Sequence, residues 1–374
     1  MSRIDSITTQ RLDIALRQPI TMSTGTVSRQ NILLVRLRDT DGAEGVGEAL
    51  VMGGPYWGQE TIEGVRAVVE RHLAPLLIGQ STSSVGAISR QLPRWVRGNA
   101  AARSAVEMAM LDLVGHRSGL PVSALLGGAV RSRIPVAWTL STGSVETDIA
   151  EGERAAAAHG FTRFKLKFGH EAPRADVSRA HAIARHFAGR ATIIADVNQG
   201  WDEQTAIQML PRLVDAGLEA LEQPLPAHAL AAAAELQRRF GLRFIADEAV
   251  DGPASVLRLA QAKAAAALSL KPNRDGGLIA TRDAAIIAAA AGIQLYGGSM
   301  LETSLGTAAN LHCYATAPDL SLGCELFGPM RLGEDIATTP VSIEQGHLTL
   351  EDTLPGLGVS LDEEKIAFLA ARSG

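Results

Sequence analysis

The run Phe164-Lys165-Leu166-Lys167-Phe168-Gly169 decides how the rest of the chain is read. Its alternation sends Phe164, Leu166 and Phe168 to one side and Lys165 and Lys167 to the other, the period of a β-strand. Apolar helical stretches flank the run in sequence, which predicts a parallel strand covered on both faces. Two lysines on the inner face of such a strand lose hydration. Their pKa values are therefore expected to fall, which makes a usable proton carrier near neutral pH. The ordinary alternative is an exposed edge strand with solvated lysines.

Strand-like runs alternate with amphipathic helices on both sides of this stretch. The expected strands are 134–141, 163–168, 192–198, 218–223, 243–248, 267–271, 294–299 and 320–326, with helices of roughly 12–16 residues between them. Eight such units predict a modified (β/α)₇β-type TIM barrel, the eighth strand lacking a clear long helix of its own. A doubly wound sheet would carry a Gly-rich phosphate turn after an early strand, and none is present. Ahead of the barrel, residues 3–15 and 30–49 read as strands with a hairpin turn at Asp39-Thr-Asp-Gly42. Helices are expected at about 60–78, 83–97 and 100–118. Between them lies Met52-Gly-Gly-Pro-Tyr-Trp-Gly58, either a packed turn or a mobile flap over a ligand. The expected division is an N-terminal α+β capping domain over 1–130, the barrel over 131–328, and a C-terminal segment, 329–374, that packs back on the capping domain.

Composition removes several function classes. The 374 residues are 46% hydrophobic and 20% charged with a net charge of −5, and no basic block invites nucleic acid. Two cysteines, Cys313 and Cys324, are too few for a disulfide framework, so a reducing cytoplasm is expected. The first sixteen residues carry Arg3, Asp5, Arg11 and Asp13 and do not read as a signal peptide. The longest plain apolar run, Ala284 to Ala291, is too short to span a bilayer, so no membrane partner is expected.

The active rim of a barrel lies at the C-terminal strand ends. In chain order those ends are Lys165-Leu-Lys167, Asp196-Val-Asn198, Glu222-Gln-Pro224, Asp247-Glu248, Lys271-Pro272, Gly297-Gly-Ser299 and Glu325. Three consecutive strands thus bring Asp196, Glu222 and Asp247 to one rim. Converging carboxylates repel unless a cation sits among them, and all-oxygen ligation favours Mg²⁺ or Mn²⁺ over zinc. The nine histidines are scattered, and His181 and His186 do not share a helix face. Lys167 and Lys271 would face each other across the ion, a geometry for moving the proton beside a metal-bound carboxylate. The competing reading of the set is a ring of rim salt bridges, and that of the whole chain is a non-catalytic barrel used for binding.

These motifs, in this order, resemble the enolase superfamily, already an established case of a Lys or His base working with Mg²⁺ on an ene-diolate. Val136-Ala-Trp-Thr-Leu140, Leu295-Tyr-Gly-Gly-Ser-Met-Leu-Glu302, Glu325-Leu-Phe-Gly-Pro329, Gly45-Val-Gly-Glu-Ala49 and His72-Leu-Ala-Pro75 are similar to the muconate-lactonizing subgroup, and the likeness covers nearly the whole chain. The resemblance implies Asp196, Glu222 and Asp247 as ligands of Mn²⁺ or Mg²⁺ and Lys167 and Lys271 as proton carriers. It implies Glu325 as a protonated acid with raised pKa beside the enolate. Lys165, Asn198, Met52, Trp57, Ser299 and Phe327 would contact substrate or its immediate neighbours. The implied reaction is an isomerase's: cycloisomerisation of cis,cis-muconate, a small dicarboxylate, to muconolactone in catechol breakdown, an aromatic hydrocarbon catabolism. A homo-oligomer, often an octamer, is implied as well. Two segments depart from the pattern. Lys271-Pro-Asn-Arg-Asp-Gly-Gly277 is more like the succinylbenzoate synthase and acylamino acid racemase relatives, and Met52 and Trp57 replace an aliphatic residue and a tyrosine. The alternatives are a chloromuconate cycloisomerase, a racemase or epimerase of an amino acid derivative, and a dehydratase of a small hydroxy acid or hydroxyproline.

Overall fold

The computed structural model describes residues 2–373. Three long antiparallel strands open the chain: β1 (Ile4–Met22), β2 (Gly25–Asp39) and β3 (Glu44–Val51), joined in that order. β1 runs further than the sequence suggests, because a register shift between Ala15 and Ile20 lets it continue to the tight turn at Ser23-Thr24. The helix Ala100–Ser118 lies against β3 at close range. A Cβ on Gly45 would sit 2.2 Å from the Ala109 carbonyl oxygen, and one on Gly47 2.2 Å from that of Ala105, so only glycine permits this approach. The expected helix near 60–78 is present as Ile62–Val68 and Ala74–Leu77, with a π-helical turn at Val69–Leu73 between them.

The second sheet has seven parallel strands in sequence order: β5 (Trp138–Leu140), β6 (Arg163–Lys167), β7 (Thr192–Asp196), β8 (Ala220–Glu222), β9 (Phe244–Ala246), β10 (Ala267–Leu270) and β11 (Gln294–Gly297). Two expected strands differ. The run 134–141 is two strands, because β4 (Arg133–Pro135) leaves the barrel to pair antiparallel with β12 (His347–Thr349). The run 320–326 shrinks to a single bridging residue, Cys324, which pairs in parallel with both Val136 and Gly297 and so closes the barrel. The turn at Ser321–Leu322 and Gly323 at φ +75° interrupt the extended backbone that a longer strand would need there. Ile194, Ala220, Ile245, Ala267, Tyr296 and Leu322 form a separate buried cluster, one side chain from each of five successive strands and the closing segment. They fill the barrel interior, and polar side chains are carried above them.

Glu48 of β3 ties the first sheet to the helix that follows β11. It accepts from Thr303 N (3.1 Å), Thr303 Oγ1 (2.5 Å) and Gly306 N (3.2 Å), at the start of the helix Ser304–Thr316. The end of the chain returns to the first sheet. Leu332 bridges Leu16, Arg36 pairs with Glu363 (2.8 Å), and Asp13 N donates to Ser373 Oγ (2.7 Å). No helix among the described residues is long and apolar enough to cross a membrane.

His312 joins three segments at once. Its Nδ1 accepts from Ser123 N (3.1 Å) and its Nε2 faces Leu357 O (3.4 Å), which together require the neutral ring. Burial pushes its pKa down to about 4. The unfolded imidazole takes its proton below about pH 6.5. Stability therefore stays level above that pH and falls as the pH drops from about 6.5 toward 4. Between pH 7 and pH 5 the wild-type protein is expected to lose about 2 kcal/mol more than His312→Gln, measured by denaturant unfolding at both pH values. Equal losses in the two proteins would rule out the histidine as the cause.

Candidate active site

The strand ends place the polar residues in register. Lys167 on β6 pairs with Asp196 on β7, and Asp196 with Glu222 on β8, so these side chains stand side by side on one rim. Asp247 follows β9 directly and Lys271 follows β10. In the sheet the three carboxylate strands lie between the two lysine strands. Lys271 reaches its place because residue 298 is glycine: a Cβ there would lie 2.7 Å from Lys271 Cε and 2.4 Å from Ser269 Oγ.

Asp196, Glu222 and Asp247 are fully buried, each 0% exposed. Lys167 Nζ donates to Asp196 Oδ2 (2.6 Å) and Asn198 Oδ1 (3.1 Å), and Lys271 Nζ to Asp247 Oδ2 (2.7 Å). Lys165 Nζ lies 2.7 Å from Glu222 Oε2, 2.7 Å from Glu325 Oε2 and 3.6 Å from Asp196 Oδ2. The expectation of a depressed pKa does not survive for Lys165, and Lys271 on the far flank behaves in the same way. Burial does push both down, but Glu222 and Glu325 outweigh it at Lys165, and Asp247 and Glu325 outweigh it at Lys271. Both ammonium groups are held more firmly than in water. The carboxylates respond in opposite directions. Burial is the largest influence at each and pushes upward. At Asp196, Lys167 and Lys165 overcome it, and at Asp247, Lys271 and Arg274 bring the pKa to about 2. Glu222 is driven well up, since Asp196, Asp247 and Glu325 crowd it and Lys165 compensates only in part. Burial, with Asp247 and Asp196 nearby, carries Glu248 to about 7.

The motif residues beside these groups have local tasks. Asn198 takes a left-handed backbone at φ +45°, bonds Asp196 Oδ1 through its N–H (2.9 Å) and donates Nδ2 to Glu248 Oε1 (3.1 Å). Gln223, at φ +33°, accepts from Asp247 N (2.9 Å) and Ala249 N (3.2 Å) and so holds the next strand end. Non-glycine residues with positive φ beside three buried carboxylates are the strain expected where a site is being shaped.

A single cleft brings together Lys167, Lys271, Glu325, Met52, Trp57, Ser299 and Phe327. The indole of the 52–58 loop covers one lysine, with Lys271 Nζ 4.2 Å from the centre of the Trp57 ring. Lys165, wholly buried, lies beneath the cleft with Asp196, Glu222 and Asp247 and does not line it. The sequence reading missed Ile20, Met22 and Val27, which make the cleft's apolar wall with Leu301 and come from the far end of the first hairpin. That hairpin rests on the barrel rim: Ser23 Oγ donates to Asn198 O (2.8 Å), and Gly169 leaves room for Ser23. Its apolar alternation reads as ordinary sheet, so nothing in the residues marked it. Arg274 was visible in the run after Lys271, but its contact with Asp247 was not.

The carboxylate trio has the chemistry of a cation site. Glu222 Oε1 is buried without a hydrogen-bond partner, Oε2 meets the Lys165 ammonium at 2.7 Å, and Asp196 and Asp247 stand on the strands to either side. Among the described residues, however, no three His, Cys, Asp or Glu side chains meet closely enough to hold an ion as they stand. Asp196 and Asp247 each turn an oxygen to a lysine instead. The donor set fits a hard divalent cation in kind, and an ion would compete with Lys167 and Lys271 for those two oxygens.

Two lysines stand either side of buried carboxylates, beneath the 52–58 loop at the C-terminal rim of a barrel with a capping domain, an arrangement suited to acid–base chemistry. Residues 5–127 match the mandelate racemase / muconate lactonizing enzyme N-terminal domain, and residues 148–365 match the enolase C-terminal domain-like family. The chain therefore belongs to the mandelate racemase / muconate lactonizing enzyme family of the enolase superfamily. It is 39% identical over 366 residues to a chloromuconate cycloisomerase of Pseudomonas sp., covering 97% of this chain and 98% of that one. It is 39% identical over 372 residues to muconate cycloisomerase 1 of Pseudomonas putida, covering 100% and 99%. The crystal structure of a muconate lactonizing enzyme from Pseudomonas fluorescens complexed with muconolactone superposes with a TM-score of 0.96 at 40% identity, over 98% of this chain and 99% of the other.

Proposed function

We propose that the protein is a muconate cycloisomerase, converting cis,cis-muconate to muconolactone in the breakdown of catechol. The observation that carries this reading is the pair Lys167 and Lys271 in one cleft, on opposite flanks of the strands that bear Asp196, Glu222 and Asp247. In this reading the three carboxylates hold Mn²⁺ or Mg²⁺. When bound, the ion supplies positive charge beside the substrate carboxylate and stabilises the negative charge that develops there.

The remaining steps belong to the chain. The cleft holds the diacid folded, so that its distal carboxylate oxygen lies against the conjugated double bond. That oxygen forms the ring C–O bond, and the displaced electron pair moves to the carbon beside the proximal carboxylate. A lysine ammonium gives its proton to that carbon and is recharged from solvent. Positioning does most of the work in such an intramolecular attack, and Met52, Trp57, Phe327 and the hairpin wall serve it by excluding water. Glu325, 2.7 Å from Lys165 and reached by Ser299 N at 3.3 Å, lines the cleft beside the lysines; in this reading it bonds the developing charge as the protonated acid, since an ionised carboxylate has no proton to donate. Lys165 holds Glu222 and Glu325 in place. Part of the same reading is the division into a capping domain (1–130), a barrel (131–328) and a returning segment (329–374), with a cytoplasmic homo-oligomer, an octamer, as the working form.

Purified protein with Mn²⁺ and cis,cis-muconate should lose the conjugated absorbance of the diacid. A chloromuconate belongs in the same assay, because the 39%-identical Pseudomonas sp. relative is a chloromuconate cycloisomerase; faster turnover of it would reassign the substrate within the same chemistry. Turnover of neither would sink the cycloisomerase reading. Proton exchange into N-acyl amino acids or hydroxyprolines in D₂O would then mark a racemase or dehydratase.

A further inference from the structure

Arg274 takes no part in the chemistry proposed above, yet it is bound to the site by its whole guanidinium. Its side chain is 9% exposed. Nη1 donates to the backbone oxygen of Asp247 (2.7 Å) and to its Oδ1, Nη2 to Ser269 O (2.6 Å), and Nε to Asp275 Oδ1 (2.8 Å). Asp275 is itself tied down, since its Oδ2 accepts from Lys271 N (3.2 Å) and from Thr281 Oγ1 (3.2 Å). The second oxygen of Asp247, Oδ2, is left facing Lys271 Nζ at 2.7 Å.

We infer that Arg274, anchored by Asp275, is a positioning residue that gives the two oxygens of Asp247 different tasks. It ties Oδ1 to the scaffold and turns Oδ2 into the site, toward Lys271 and the divalent cation. The inference rests on the reading of Asp247 as a cation ligand. A brace between β9 and β10 would need only the bonds to the Asp247 and Ser269 carbonyl oxygens. The bond to Oδ1 adds nothing to such a brace, but it fixes the rotation of the carboxylate. The planar fork makes this possible: one guanidinium meets a backbone oxygen and a carboxylate oxygen of the same residue while its other edge meets Asp275. A lysine in its place carries the same charge without the fork. Groups that orient a ligand from behind are typically worth about 10- to 100-fold in metal affinity.

The test is Mn²⁺ titration of chelator-stripped protein by calorimetry, with thermal unfolding of the same samples. Arg274→Lys keeps the charge beside Asp247 and removes the fork. Its Mn²⁺ Kd is expected to rise about 10- to 100-fold, with the metal-free Tm little changed. Asp275→Asn leaves Arg274 in place but loosens its anchor, and a smaller rise in the same direction is expected. An Arg274→Lys affinity within about twofold of wild type, whatever its Tm, would make Arg274 a brace and overturn the inference. If Arg274→Lys does not fold, Asp275→Asn decides the matter, and unchanged affinity there overturns it equally. Failure of the wild-type protein itself to bind Mn²⁺ would instead remove the ligand set, which is a different result.

Discussion

Lys271→Ala is expected to lower kcat by about 10²- to 10⁴-fold, the range lost when a positioned proton carrier is removed. Lys271 is 4% exposed, its ammonium lies 2.7 Å from Asp247 Oδ2, and the indole of Trp57 covers it at 4.2 Å. A residue buried so deeply invites the objection that its loss merely unfolds the site. The geometry answers it. Asp247 keeps Arg274 as a cationic partner, so the substitution leaves no unpaired buried charge. The ammonium also competes with a divalent ion for the oxygen it holds. Lys271→Ala is therefore expected to bind Mn²⁺ at least as tightly as wild type while turnover collapses. Lys167→Ala runs in parallel on the other flank, where Asn198 and Lys165 remain beside Asp196. The larger of the two kcat losses identifies the lysine that delivers the proton. Full activity in both variants would end the assignment of either as proton carrier.

The second large effect is expected from Glu222→Gln. Glu222 has one oxygen, Oε1, without a partner, and burial together with Asp196, Asp247 and Glu325 pushes its pKa upward against Lys165 alone. An amide of the same shape removes one charge from that crowd. Lys165 keeps Glu325 at 2.7 Å, so the metal-free variant should melt within a few degrees of wild type. The response to metal should differ sharply. Wild-type protein at about 100 times the Mn²⁺ Kd gains about 2.7 kcal/mol, which is roughly 3–4 °C of Tm for a chain of this size. The glutamine variant should gain none, and its activity should fall by about 10³-fold or more, as the ion's charge stabilisation is lost. An unchanged metal-induced rise in Tm would show that the ion binds elsewhere.

The rim was legible in the residues for a simple reason. Parallel strands of a barrel all point their ends the same way, so carboxylates and lysines at the ends of successive runs must meet. Asp196 after Ile193-Ile194-Ala195, Glu222 after Leu221 and Asp247 after Ile245-Ala246 could be read one strand at a time. What could not be read was how the chain breaks its own pattern. Val136 looks like the middle of one strand and is the joint between two, because the second half of the chain supplies β12 as a partner for Arg133–Pro135. The closing strand at 320–326 is a single bridging residue because Gly323 turns the backbone out of the extended region.

By itself the sequence determined the barrel and which residues stand at its C-terminal rim, since both follow from local alternation and from the direction of parallel strands. Only the tertiary structure decided the electrostatic state of that rim and the shape of the cleft. Burial alone would lower the pKa of Lys165, but Glu222 at the end of β8 and Glu325 beside the closing bridge approach from far along the chain and reverse the sign. The apolar wall comes from Ile20, Met22 and Val27, folded over the barrel by a hairpin more than a hundred residues upstream of Lys167. Charge balance and cavity shape are sums over neighbours in space, and a linear pattern carries no record of neighbours separated by half the chain.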